Sequence, residues 1–188
     1  MNYLGMANQI LENDENYRKE FDKIASHKKI KGIKISGSKI IIFTKMILCT
    51  DPRDKVVHAL GEFKISIDMN SSKIIITNLT QTINGYQSGM QAPHVFADGR
   101  PCLGTAQELI NDCVARYEVA SVVGVAINFL ESVNIEDRAG AYINRWPVAT
   151  KEMIEGTWKS PNDELEVVTP PPAEEEYEDE EYEEEPVR

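Results

Sequence analysis

Between residues 6 and 28, Met6, Ile10, Tyr17, Phe21 and Ile24 recur at steps of 4, 7, 4 and 3, with Asn13, Asp14, Glu15, Arg18 and Lys19 on the other side. That spacing predicts an amphipathic helix. Lys28, Lys29 and Lys31 fall near its end, where the helix dipole favours cations. From Ile30 to Asn78 the period changes to two: Phe63, Ile65 and Ile67 alternate with Lys64, Ser66 and Asp68. Ile33 and Ile35 alternate with lysines, and Ile40-Ile41-Ile42-Phe43 continues into Lys45-Met46-Ile47-Leu48-Cys49, while turn signals at Ser36-Gly37-Ser38, Asp51-Pro52-Arg53-Asp54 and Asn70-Ser71-Ser72 divide the stretch. The pattern predicts an antiparallel meander of three or four strands. Residues 79–105 lose all periodicity and are rich in Gly, Gln, Asn, Ser and Pro. A loop this long inside a compact domain is more often functional than not.

Helix returns at Thr105. Ala106, Leu109, Ile110, Cys113, Val114 and Tyr117 share one face, with Gln107, Glu108, Asn111, Asp112 and Arg116 opposite. Residues 119–130 are apolar almost all round, which predicts a helix packed inside the domain, because twelve residues cannot span a bilayer. Short helices are expected at Ala139–Arg145, closed by Trp146-Pro147, and near Lys151–Trp158. The fold class is therefore α+β. One domain is expected over residues 1–165. Residues 166–188 follow as a spacer around Pro170-Pro171-Pro172 and an acidic tail that should be disordered.

Composition changes the picture mainly through that tail. The chain of 188 residues carries a net charge of −11, but Glu174–Glu185 hold ten acids, and the rest of the chain is nearly neutral. A basic nucleic-acid footprint is disfavoured. No apolar run reaches membrane-spanning length, and the start, Met1-Asn2-Tyr3-Leu4, is not that of a secretion signal. Three cysteines, Cys49, Cys102 and Cys113, fit a reducing interior, and a cytoplasmic location is expected.

The segment richest in chemistry is 91–104. Asp98-Gly99 signals a tight turn that folds the chain back, so that His94 and Cys102 approach each other, with Pro93 and Pro101 stiffening the arms. The helix beginning just after Cys102 favours a thiolate, and a loop cysteine beside a histidine suits nucleophilic or acyl-carrying chemistry. The plain alternative is a cysteine acting as a small apolar filler. His94, Cys102 and Cys113 give three possible metal ligands but no paired ligand motif, and Cys113 lies on an apolar helix face. Cys49 reads as core, His58 and His27 as structural or solvated, and no phosphate-binding glycine loop is present.

This order of elements resembles the ubiquitin-conjugating enzyme family. Ala92-Pro93-His94 stands where that family carries His-Pro-Asn, and Gly99-Arg100-Pro101-Cys102-Leu103 matches its Gly-x-x-Cys-Leu context at the same spacing of eight. Asn128–Asp137 is similar in position to the stretch that follows the family's apolar helix. The likeness spans roughly residues 6–150. The departures are Ala92 in place of the first histidine, His94 in place of the asparagine, and Gln81–Met90 in place of a proline-rich run. These look more like divergent bacterial and phage relatives, which work beside ubiquitin-like proteins, activating enzymes and isopeptidases.

The resemblance implies a thioester on Cys102, accepted from an adenylating, activating enzyme, with the carried ubiquitin-like protein passed to a target lysine. It implies that His94 donates a hydrogen bond or holds the loop, with action as a base on the incoming amine as the other role open to it, and that Asp137 is the acidic residue that helps orient and deprotonate the amine. The alternative for Asp137 is a solvated helix cap. No metal or small cofactor is implied. The rival readings are a non-catalytic interaction module of the UBC/RWD-like kind and a cysteine hydrolase using Cys102 and His94.

Overall fold

The computed structural model describes residues 15–80, 89–137 and 140–162. The predicted start of the first helix, Gln81–Ser88 and the acidic tail lie outside these residues. The first helix, α1, is described over 15–25, three residues short of the expected end. Lys28 and Lys29 therefore stand in a turn, and Lys31 already belongs to a strand. Ile24 is buried and Phe21 half-buried, whereas Tyr17 is exposed and meets Tyr117 edge-on with ring centroids 5.9 Å apart.

Six strands follow: β1 (Ile30–Ser36), β2 (Lys39–Thr44), β3 (Ile47–Thr50), β4 (Val57–Gly61), β5 (Phe63–Asp68) and β6 (Lys73–Asn78). They form a four-stranded antiparallel sheet in the order β1-β2-β5-β6, and β3 and β4 pair separately. The four-strand sheet agrees with the expectation. The β3–β4 hairpin is an excursion between its two middle strands, where the sequence suggested one continuous run from Ile40 to Cys49.

The register explains the core. Ile33 pairs with Ile42, Ile42 with Ile65 and Ile65 with Ile76, so one row of isoleucines crosses all four strands, each 5% exposed or less. A period of two puts every such residue on the same face. Burying each stabilises the fold by about 1.5–3 kcal/mol. Ile35, expected to alternate inward with Ile33, instead sits at the outer end of β1 and is exposed.

Helices α2 (Ala106–Ala115) and α3 (Val119–Glu131) pack further apolar side chains into the same core. Ile110, Cys113 and Val114 of α2 are buried, but Leu109 and Tyr117 are exposed, so the covered stripe is narrower than the spacing predicts. α3 buries Val119, Val122, Val123, Ala126, Ile127 and Leu130. A 3-10 helix (Gly140–Arg145) leads to Trp146, which is 1% exposed. The segment after it pairs with β4: Ala59 N–H donates to Pro147 O and Ala149 N–H to Val57 O, both at 2.8 Å. His58 Nδ1 bonds Trp146 O at 2.8 Å, a structural role. The last helix, α4 (Lys151–Glu155), is capped by the Thr150 hydroxyl and closed by Gly156 in the left-handed conformation. No helix among the described residues is long and apolar enough to cross a membrane.

Candidate active site

The described part of the irregular segment, residues 89–104, is fixed to the core by buried side chains and hydrogen bonds. Met90, Ala92 and Val95 are at most 1% exposed and anchor it to the core. Asn78, at the end of β6, holds its first arm: its backbone N–H donates to Gln91 Oε1 at 2.7 Å, and its Nδ2 donates to Leu60 O and Gln91 O. Gln91 Nε2 in turn donates to Gly89 O and Ala97 O. The Asp98-Gly99 turn forms as expected. Phe96 N–H donates to Arg100 O and Gly99 N–H to Phe96 O, while the Asp98 carboxylate accepts from the N–H and Nε of Arg100. These bonds hold the Asp98 carboxyl below its usual range, the backbone N–H of Arg100 contributing most. Ile76 N–H donates to Gly99 O at 2.8 Å, which docks the turn on β6.

On this hairpin Val95 bridges Pro101, and the next bond is the one that matters for the site. Cys102 N–H donates to His94 O at 2.8 Å. Cys102 is exposed, while Cys49 and Cys113 are buried. Burial, with the charges of Asp51 and Glu131 adding to it, pushes the Cys49 thiol up to about 11. Cys102 stands four residues before α2, separated from it by Leu103, Gly104 (φ +53°) and Thr105. An open cleft of about 610 Å³ is lined by its two neighbours, Pro101 and Leu103, with the β5–β6 turn, Arg100 and the polar face of α2 at Gln107 and Asn111; Cys102 itself is not part of that lining.

His94 has φ +62°, the left-handed region where His, Asn, Asp and Gly are enriched. Its side chain is 11% exposed, with Nδ1 3.9 Å from Asp137 Oδ2. The ring meets Phe129 of α3 edge-on at 6.4 Å between centroids. Its Nε2 is buried and has no hydrogen-bond partner among the described residues. Asp137 sits in the turn after α3, its side chain half exposed and its N–H donating to Asn134 O. The fold thus links His94 to Cys102 through the main chain and His94 to Asp137 through side chains. Phe129, Asn78 and Gln91, which support this arrangement, carry no signal in the sequence, because their contacts arise only when α3 and β6 pack against the loop. Among the described residues no group of three or more His, Cys, Asp or Glu is arranged to hold a metal ion.

No family model, no curated protein and no solved structure matches the chain.

Proposed function

We propose that this chain is a ubiquitin-conjugating-like transferase that carries a ubiquitin-like protein as a thioester on Cys102. The reading is supported by one observation above the others: an exposed cysteine on a hairpin pinned to the core, its N–H bonded to a histidine whose ring lies beside a carboxylate. In the first step the Cys102 thiolate attacks the carrier's C-terminal acyl carbon on the activating enzyme. A new C–S bond forms and the donor cysteine leaves as a thiolate. In the second step an amine, chiefly a target lysine, attacks that carbon. A C–N bond forms, the Cys102 thiolate leaves, and the amine proton passes to a base.

Asp137 is the base this reading favours, because its carboxylate is half exposed and lies 3.9 Å from the His94 ring. His94 holds the loop through its carbonyl and steadies Asp137 through Nδ1. Donation from Nε2 to a tetrahedral oxyanion requires the ring to turn, since that nitrogen is buried. No metal or small cofactor enters the chemistry, and the reading assigns the protein to the cytoplasm of a prokaryote or to a phage.

The test incubates the full chain with an activating enzyme, its ubiquitin-like protein and ATP. The reading predicts an adduct that a thiol reductant removes and that Cys102→Ser lacks. If the activating enzyme charges its own cysteine and no adduct passes to this chain, the reading fails. The buried Nε2 then favours the rival, a non-catalytic interaction module.

A further inference from the structure

A second surface, independent of Cys102, has the character of a docking site. A cleft of about 500 Å³ lies between the turn after α1, the β2–β3 link and α4. Met46, Leu48, Met153 and Trp158 give it a half-buried, largely apolar floor. Its rim is basic: Lys28, Lys29, Lys31 and Lys45 line it, against the two acids Glu62 and Glu155. Lys29 is paired with Glu131 and Lys31 with Glu62, both at 3.0 Å. Lys28 and Lys45 are exposed and have no ion-pair partner among the described residues.

The chain itself leads away from this rim. Ser160 lines the cleft, and Lys31 Nζ donates to the backbone carbonyl of Asn162, the last described residue, at 3.3 Å. Twelve positions further along the sequence begins Glu174–Glu185, with ten carboxylates, no basic residue, and Tyr177 and Tyr182 spaced among them. Twelve residues reach at most about 40 Å when extended, so the segment can return to the cleft. A short tether also raises its local concentration to about the millimolar range. Charge and shape then agree. Carboxylates meet the unpaired lysines, and the tyrosines, apolar in body and polar at the tip, suit a floor of methionine, leucine and tryptophan.

We propose that the acidic segment Glu174–Glu185 docks in cis on the lysine-rimmed cleft, as a cover that screening by salt or a competing acidic partner displaces. The cleft is then a site for acidic peptide, occupied by the protein's own tail until another ligand takes it.

Zero-length carbodiimide cross-linking of the full chain, read by mass spectrometry, tests this directly. At about 20 mM salt, cross-links are expected from Lys28 and Lys45 to the tail within single copies, falling roughly tenfold at about 0.5 M salt. The pair Lys29–Glu131, whose side chains are both partly exposed, serves as the internal control. A full-length variant with every tail Glu→Gln and Asp179→Asn should also shift the Trp158 emission at low salt and leave it unchanged at high salt. Trp146 is buried and supplies a constant background. The proposal is overturned if tail cross-links fall equally on exposed lysines away from the cleft, such as Lys34 and Lys73. It is overturned equally if they join two copies, or if they are missing while the control pair reacts.

Discussion

The backbone N–H of Cys102 donates a 2.8 Å hydrogen bond to the backbone carbonyl of His94. Eight positions separate the two residues, and the Asp98-Gly99 turn brings them together through main chain, not through their side chains. The thiol is therefore positioned by the hairpin, and the imidazole is left to pack under Phe129 and face Asp137. Changes to the hairpin and changes to the ring should have separable effects.

The three cysteines should react very differently. Cys102 is exposed, whereas Cys49 and Cys113 are 1% and 2% exposed, and burial pushes the Cys49 thiol up to about 11. Iodoacetamide at near-neutral pH should therefore modify native protein at one site, Cys102, with the other two labelled only after denaturation. Peptide mapping checks this, and early labelling of Cys49 would show that the core opens around β3.

His94 offers a way to divide backbone from ring. At φ +62° asparagine is tolerated and a β-branched residue is strained. His94→Asn also introduces the residue found at the matching position of the family that the sequence resembles. Thermal unfolding of His94→Asn should stay close to wild type, with the proposed transfer from Cys102 retained. His94→Val should lose about 1–2 kcal/mol and, at about 2–4 °C per kcal/mol, several degrees in Tm. Equal loss in both variants would mean that ring contacts with Phe129 and Asp137 matter more than the backbone conformation.

Much of this arrangement is readable in the chain. The alternation at Phe63, Ile65 and Ile67 marks a half-buried strand because sheet geometry repeats every two residues. The apolar stretch from Val119 is a buried helix with little room for another reading. The Asp98-Gly99 turn announces the fold-back of His94 toward Cys102. What fails to show is whatever depends on packing between distant segments. No polar residue interrupts Ile40–Phe43 and Ile47–Cys49 strongly enough to reveal that β3 leaves the sheet. The strand ends at Thr44, which is buried and whose hydroxyl accepts from Phe63 N–H at 2.9 Å. Tyr17 and Tyr117 match apolar helix faces by spacing, yet they pair with each other in the open. The cluster of Lys31, Glu62, Ser160 and Asn162 joins three remote stretches, so no local pattern predicts it.

Gly99 is where the hairpin is least tolerant. Its φ is +83°, and a Cβ there would lie 2.8 Å from Ile75 Cγ2 and 2.9 Å from Ile76 O. Gly99→Ala should cost about 1–3 kcal/mol, because backbone cannot yield as a flexible side chain can. The same change should weaken the bond from Ile76 N–H to Gly99 O and alter the rate at which Cys102 is alkylated. An unchanged Tm together with an unchanged labelling rate would contradict the view that the turn is docked on β6.

Acid should act on the β3–β4 hairpin through Asp51. This buried carboxylate accepts from the Arg53 N–H, Nε and Nη2, and the Arg53 guanidinium holds its pKa down to about 2. An unfolded aspartate titrates near ~3.9. A depressed folded pKa means the pair stabilises the fold fully above the unfolded value, and that stabilisation is lost as pH falls through about 2. The Tm gap between wild type and Arg53→Ala should be constant above about pH 5 and close progressively toward pH 2. A gap that widens in acid would contradict the assignment.

The most direct measurement is the intact mass of the protein after incubation with an activating enzyme, its ubiquitin-like protein and ATP, followed by mapping of the attachment site. The account predicts a gain equal to the carrier's mass less one water, located on Cys102 and released by neutral hydroxylamine. Attachment only at lysine, at Cys49 or at Cys113, or no gain from a carrier demonstrably charged on its activating enzyme, would contradict it.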